Sequence, residues 1–375
     1  MEKISAAEWL RLIKAVFPRL PQDEQLAFLI DVPNRPQDDC EAWRLRRELA
    51  FEWCRLLQPH EKSLGLTVSL FAYASVDSNN ADLPDSAARL TDRLPSLSRE
   101  LDDLEPFSEI YRNTQLFIAP TQFSATAPLK NAARQYRFRA ATMPGFSPQM
   151  IPALRIDYER VNTRCRLLKE MLDAADGARV LFQTDIDTFT MFFDLRHRSA
   201  HVSSGRFPDA GTAGNLPSGE TYIVPYEGEA EESRTAGLLP VQIENELLIY
   251  EVRQNRAVAV RGAGPAAERE RERLRREPAY GNMAELGFGV LADFGLTPIG
   301  EILLDEKLGF HVAFGRSDHF GGAVGPTAFS SPQAVIHLDR IYVPQLQEQI
   351  RIAAVDITSE NRTERIMEHD RYLIF

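Results

Sequence analysis

The texture of this chain changes once along its length, and that change restricts the fold more than any other feature. Through roughly the first 150 residues, apolar runs that alternate like strands take turns with segments of helical period. Ala27–Val32, Leu66–Tyr73 and Gln115–Ala119 read as strands, as does the short run Arg137–Ala141. Residues 6–18, 38–57, 97–110 and 128–136 read as helices, the first stopped by Pro18 and Pro21 and the last carrying Pro128 in its first turn. Strand and helix in alternation predict an open, Rossmann-like, mostly parallel α/β sheet. From Ala178 onward the runs shorten: 179–183, 188–193, 221–225, 240–244, 246–253, 258–261 and 301–304 read as strands divided by turn residues. That pattern predicts an antiparallel, barrel-like or sandwich domain. A helix over Ala153–Ala175, with Leu167, Leu168 and Met171 on one face, joins the two textures. The expected organisation is an α/β domain over residues 1–165, serving as cover and substrate selector, and a β-rich domain over residues 166–375 that carries the chemistry.

Composition removes several classes of function. A chain of 375 residues with 44% hydrophobic and 26% charged content has ample material for a core. Its formal charge of −11 argues against nonspecific affinity for nucleic acid or an anionic membrane, both of which begin with a cationic surface. No apolar run approaches the roughly 20 residues needed to span a bilayer, and Met1-Glu-Lys-Ile-Ser5 lacks the basic and then apolar pattern of a secretory signal, so the expected compartment is the cytoplasm. Cys40, Cys54 and Cys165 are too dispersed for a disulfide framework or a metal clip. Asp31 ends its strand at the edge where α/β sheets bind ligands, but no Gly-x-Gly-x-x-Gly or phosphate loop follows, and a scaffold role is expected there. The alternating charges of 268–277 read as a solvated helix, and His197 and His201 as surface or loop residues.

Chemistry concentrates in two apolar runs of the second half. His311 lies in Gly309-Phe-His-Val-Ala-Phe-Gly315, a strand entering a glycine-rich loop that holds Arg316, Asp318 and His319. His337 and Asp339 occupy alternate positions of Val335-Ile-His-Leu-Asp339, so imidazole and carboxylate project from one face of a strand. Placing such a pair in an apolar strand costs free energy unless a cation or hydrogen bonds compensate it. Upstream stand Glu220, in Pro217-Ser-Gly-Glu220, and Glu285, in Ala284-Glu-Leu-Gly-Phe-Gly289. Singly, each has an ordinary reading as a turn residue, a cap or a core histidine. Jointly, two imidazoles and three carboxylates are the ligand types required by a protein that activates water with one or two divalent ions. Arg316 is expected to contact substrate, and Asp318 and His319 to contact substrate or move protons.

On Pro-Ser-Gly-Glu at 217–220, Glu285, His-Val-Ala-Phe-Gly at 311–315 and His-x-Asp at 337 and 339, in that order, the chain resembles the thermophilic-type metallo-aminopeptidases, the aminopeptidase T-like family. The resemblance implies that Glu220, Glu285, His311, His337 and Asp339 ligate two divalent ions, zinc, cobalt or manganese, with Glu220 or Glu285 also receiving the proton of the attacking water. It implies a hydrolase of N-terminal peptide bonds or small amides, and a homodimer whose first domains cover the partner's site. One departure stands out. The family's tyrosine, seven positions after the first histidine, is Asp318 here, next to His319. The superfamily also resembles a ring-cleaving dioxygenase of dihydroxypyridine that holds one iron, with histidine where Glu285 stands. The expected function is therefore a metal-dependent hydrolase of aminopeptidase type. The alternatives are a mononuclear non-haem iron oxygenase acting on a small aromatic, and a metal-binding protein whose turnover has been lost.

Overall fold

All but the first residue of Gln25–Val32 are buried, six of those seven apolar, and a strand covered on both faces belongs in the middle of a sheet flanked by helices. In the computed structural model, which describes residues 2–360 and 362–375, that strand is the centre of a seven-stranded sheet. It pairs in parallel with Thr67–Ala74 on one side and with Leu116–Ala119 on the other. Beyond Leu116–Ala119 follow Arg139–Thr142 and Ala213–Asn215, both parallel, and beyond Thr67–Ala74 the antiparallel Ser86–Leu90 and Leu104–Pro106. The helix Ala6–Val16 starts at a Ser5–Glu8 capping box, and its Trp9 packs edge-on against Phe28 and against Trp53 of the helix Glu41–Leu57.

Residues 97–110, expected to be helical, are instead a single turn at Ser98–Glu100, the edge strand Leu104–Pro106 and the helix Phe107–Asn113. Asp103 adopts a left-handed backbone conformation that interrupts any continuous helix, and Pro106 sits just ahead of the helix that does form. The strand Ser86–Leu90 escaped the sequence reading because only two of its five residues are buried. The helix expected from Ala153 begins at Tyr158, after a 3-10 stretch over Pro148–Arg155 that contains Pro152.

Two compact units divide the chain. One comprises residues through Arg160 with Ser203–Ser218 and Glu301–Leu304, and the other Val161–Val202, Gly219–Gly300 and Asp305–Phe375. Ser203–Ser218 groups with the α/β unit because Ala213–Asn215 adds an edge strand to its sheet.

The second unit is built from antiparallel sheets. An eight-stranded sheet runs in the order 256–261, 246–253, 236–243, 188–194, 177–184, 350–359, 362–368 and 371–372. A five-stranded sheet runs 337–341, 310–315, 283–289, 220–223 and 201–203. Phe182 and Tyr250 of the larger sheet meet Phe310 and Phe314 of the smaller, with ring centroids 6.0 and 5.0 Å apart, so the two sheets share an aromatic core. Because side chains alternate along a strand, His311, Ala313 and Gly315 point away from that core. The run 301–304, expected as a strand, is instead helical over Ile302–Asp305. Leu303 and Leu304 are buried consecutively, which no half-buried strand allows, and the Asp305 carboxylate closes the turn on the backbone N–H groups of Ile299 and Gly300. Among the described residues, no helix is long and apolar enough to cross a membrane.

Candidate metal centre

The five candidate ligands come from four adjacent strands of the five-stranded sheet, and the register brings them onto one face. Glu220 pairs with Gly289 and Tyr222 with Gly287; Glu285 pairs with Ala313 and Gly287 with His311; Ala313 pairs with Asp339 and Gly315 with His337. Each of these polar side chains therefore faces a glycine or an alanine on at least one neighbouring strand. Gly287 shows why: a Cβ there would lie 1.9 Å from His311 Nε2, inside the imidazole. The glycines of Leu-Gly-Phe-Gly keep this face hollow, while Leu286 and Phe288, on the opposite face, are fully buried.

Both imidazoles are oriented in the same way. His311 Nδ1 donates to the Gly309 carbonyl at 3.0 Å, and His337 Nδ1 to the Arg316 carbonyl at 2.7 Å. A carbonyl only accepts, so Nδ1 carries the hydrogen in each ring and Nε2 is aimed at the carboxylates, as ligating histidines are held. His311 Nε2 lies 3.2 Å from Glu285 Oε1 and 3.5 Å from Glu220 Oε2, and His337 Nε2 lies 3.3 Å from Glu285 Oε2 and 3.6 Å from Asp339 Oδ1. Two groups of potential ligand atoms result, Glu220/Glu285/His311 and Glu285/His337/Asp339, each drawn together within 4.8 Å. Glu285, one oxygen toward each imidazole, is common to both.

Three carboxylates share this face with two imidazoles and the Lys307 ammonium, and their proton affinities shift accordingly. Burial pushes the Glu220 carboxyl up, although Lys307 and His311 pull the other way. Burial works against ionised Glu285 too, but hydrogen bonds from His311 and His337 outweigh it and hold that carboxylate well below the usual range. The imidazoles answer in kind: burial lowers both, but their hydrogen bonds to the carboxylates prevail, raising His311 to about 9 and His337 well above its ordinary value. Protons on the rings are doing what a cation would do. Glu220 Oε2, in a residue only 5% exposed, has no hydrogen-bond partner, and an orphaned oxygen 3.5 Å from the oriented His311 imidazole fits a divalent ion better than a structural network.

The loop after His311 is divided. Arg316 and Asp318 pair with each other, Nε to Oδ1 at 2.5 Å, with both side chains about one-third exposed. His319 stands beside the centre, its ring 5.2 Å from that of His337, and burial together with the positive charges of His337 and Arg316 lowers it to about 4. Sequence reasoning missed two members. Tyr222, two residues after Glu220 on the same strand face, stacks on His201 and packs against Phe320; burial and the Glu285 and Glu220 carboxylates raise its hydroxyl well above the ordinary range. The two-residue period from Glu220 was the available signal. Lys307, whose side chain is 2% exposed, donates from Nζ to Glu220 Oε1 at 2.5 Å and to Glu306. Nothing in Asp305-Glu-Lys-Leu308 distinguishes it from a charged surface turn.

No family model and no curated protein matches this sequence. Solved structures do resemble it. The dioxygenase of 2,5-dihydroxypyridine from Pseudomonas putida KT2440 superposes with a TM-score of 0.62 at 13% identity, covering 100% of this chain and 99% of its own. Wild-type AmpT from Thermus thermophilus superposes with a TM-score of 0.56 at 13% identity, covering 98% of this chain and 99% of its own. At that identity the likeness is one of fold, along the whole length of both chains.

Proposed function

We propose that the chain is a metal-dependent hydrolase of aminopeptidase type, acting on an N-terminal peptide bond or a small amide. The observation that carries this reading is the convergence of Glu220, Glu285, His311, His337 and Asp339 on one hollow sheet face, with both imidazoles oriented through Nδ1 and Glu285 shared between two ligand groups. Glu285, His337 and Asp339 would hold a metal in one ligand group, and Glu285 with His311 and Glu220 form the other. When bound, a divalent ion there lowers the pKa of water and polarises a carbonyl.

The protein's own groups supply the rest. Glu220 Oε1 is fixed by Lys307, leaving Oε2 as the acceptor for the proton that an attacking water gives up, and burial helps the carboxyl keep it. Tyr222, kept protonated by burial and two neighbouring carboxylates, is a hydroxyl donor for the oxyanion in a chain whose loop carries Asp318 instead of a tyrosine. Phe320, against Tyr222 and 5.4 Å from the His337 ring, walls off water. The test is a panel of aminoacyl amides and short peptides with added zinc, cobalt or manganese, in which His337→Ala abolishes release of the N-terminal residue. Metal-loaded protein that cleaves no member of the panel ends this reading.

A second reading, a mononuclear iron oxygenase acting on a small aromatic, is supported by the higher TM-score of the dioxygenase and by the aromatic wall of Tyr222 and Phe320. It requires iron in the isolated protein and consumption of oxygen with substrate. Bound metal without turnover in either assay would leave a metal-binding protein.

A further inference from the structure

We propose that Lys307 is a built-in cation of the centre, its ammonium standing in for a divalent ion at the Glu220 end, so that the chain loads a single ion at Glu285, His337 and Asp339. The inference rests on the metal-dependent reading above and concerns how many ions that site takes.

The two ligand groups share Glu285 but are otherwise unequal. Asp339 and Glu285, among the described residues, form ion pairs only with the two imidazoles. Glu220 is already committed through Oε1 to an ammonium at 2.5 Å. A lysine cannot bend away from this position freely. Glu306 grips the same nitrogen, Glu220 is buried and Glu306 partly so, and withdrawal would leave two carboxylates uncompensated where solvation is poor. A divalent ion on Glu220 would therefore sit about a carboxylate's width from a fixed positive charge, in a setting where like charges repel strongly. At the His337 end, among the described residues, neither Glu285 nor Asp339 pairs with a lysine or arginine.

The free oxygen points the same way. Glu220 Oε2 has no hydrogen-bond partner and lies 3.5 Å from His311 Nε2. With Lys307 neutralising its other oxygen, Glu220 is held as an acceptor facing the ion bound by its neighbours. The resemblance to two-metal peptidases implies a second ion at this end; the side chain found there is a lysine.

Metal content decides the matter without reference to activity. Protein loaded with zinc or manganese and then dialysed is expected to retain about one ion per chain by elemental analysis, with one tight phase in calorimetric titration. The paired change Lys307→Met with Glu306→Gln, which removes the ammonium and one of its two carboxylates and leaves the Glu220 carboxylate open to an ion, is expected to raise retention to about two, its fold checked by circular dichroism. Two tight ions in the unaltered protein, or one in both proteins, overturns the assignment and leaves the metal centre standing. No ion in either overturns both. If the paired variant does not fold, Glu220→Gln serves instead: it is expected to keep the single ion, and loss of that ion overturns the assignment.

Discussion

Asp31 in the α/β unit and Glu285 in the β-rich unit are both acidic residues buried in sheets, 1% and 4% exposed, yet they are treated in opposite ways. Asp31 is surrounded by donors that belong to the scaffold: Trp43 Nε1 at 3.0 Å and the backbone N–H groups of Gln122 at 2.8 Å and Phe123 at 3.0 Å. Burial still pushes its pKa up, but both oxygens are occupied. Glu285 has only imidazoles, groups that can give their protons away, and its neighbour Glu220 has an oxygen with no donor. A buried carboxylate held by fixed N–H groups ties a loop to a sheet. One held by titratable rings is available to a cation.

The strongest challenge to that contrast is Glu285→Gln. Removing the charge shared by both ligand groups is expected to reduce metal affinity and turnover by at least a hundredfold, since changes merely adjacent to a ligand already cost roughly 10- to 100-fold. Metal-free Glu285→Gln is expected to lose part of the stability that the pairs with His311 and His337 supply, so its fold is checked by circular dichroism before metal is added. An active variant with wild-type metal content would remove Glu285 from the centre.

Asp31→Ala is expected to do the reverse. It leaves the N–H groups of Gln122 and Phe123 without an acceptor, while Trp43 Nε1 keeps the Asp31 carbonyl at 3.1 Å. Two stranded backbone donors cost about 3 kcal/mol in unfolding free energy, measurable by urea denaturation, with metal content unchanged. A stable variant that loses metal would dissolve the distinction between scaffold and site.

How much of this was legible follows from the same physics. Gln25–Val32 and Thr67–Ala74 were recognised because strands buried on both faces need unbroken apolar runs. His337 and Asp339 were recognised because polar groups two apart break such a run on one face. Met283–Gly289 was not seen as a strand: Gly287 and Gly289, which make room for His311 and the backbone of 307–309, give the sequence the look of a turn. The feature that permits the site thus erased the strand signal. Ile350–Ser359 and Arg362–Glu368 were passed over because their charged residues obscure the alternation. Lys307 was invisible because burial of a lysine is decided by partners distant in sequence, here Glu220.

A smaller effect separates the regions by pH. In metal-free protein, His311 is raised to about 9 and His337 is raised as well, above an unfolded value of about 6.5. Groups raised on folding contribute stability that is fully present below about 6.5 and lost as pH rises through about 9. Melting temperature of chelated protein should fall across that interval. Metal-loaded protein should show a smaller fall, because a ligating His337 has already released its proton. Identical profiles with and without chelator would mean that the imidazoles do not meet a metal.

Asp318 supplies the smallest effect and a third kind of carboxylate, one left to water. Its side chain is about one-third exposed and its partner is Arg316, two residues away. Burial raises it, but the hydrogen bond and charge of Arg316 together prevail and lower it, so it remains an anion and offers no hydrogen to an oxyanion. Exposed pairs of this kind contribute about 0–1 kcal/mol, so Asp318→Asn is expected to change stability by less than that and turnover by about twofold or less. Tyr222→Phe, at the buried end of the same site, should cost more by removing a donor. If Asp318→Asn instead lowers turnover more than Tyr222→Phe does, the loop has taken over the work of the family's tyrosine, and exposure is no guide to which carboxylates of this chain take part in its chemistry.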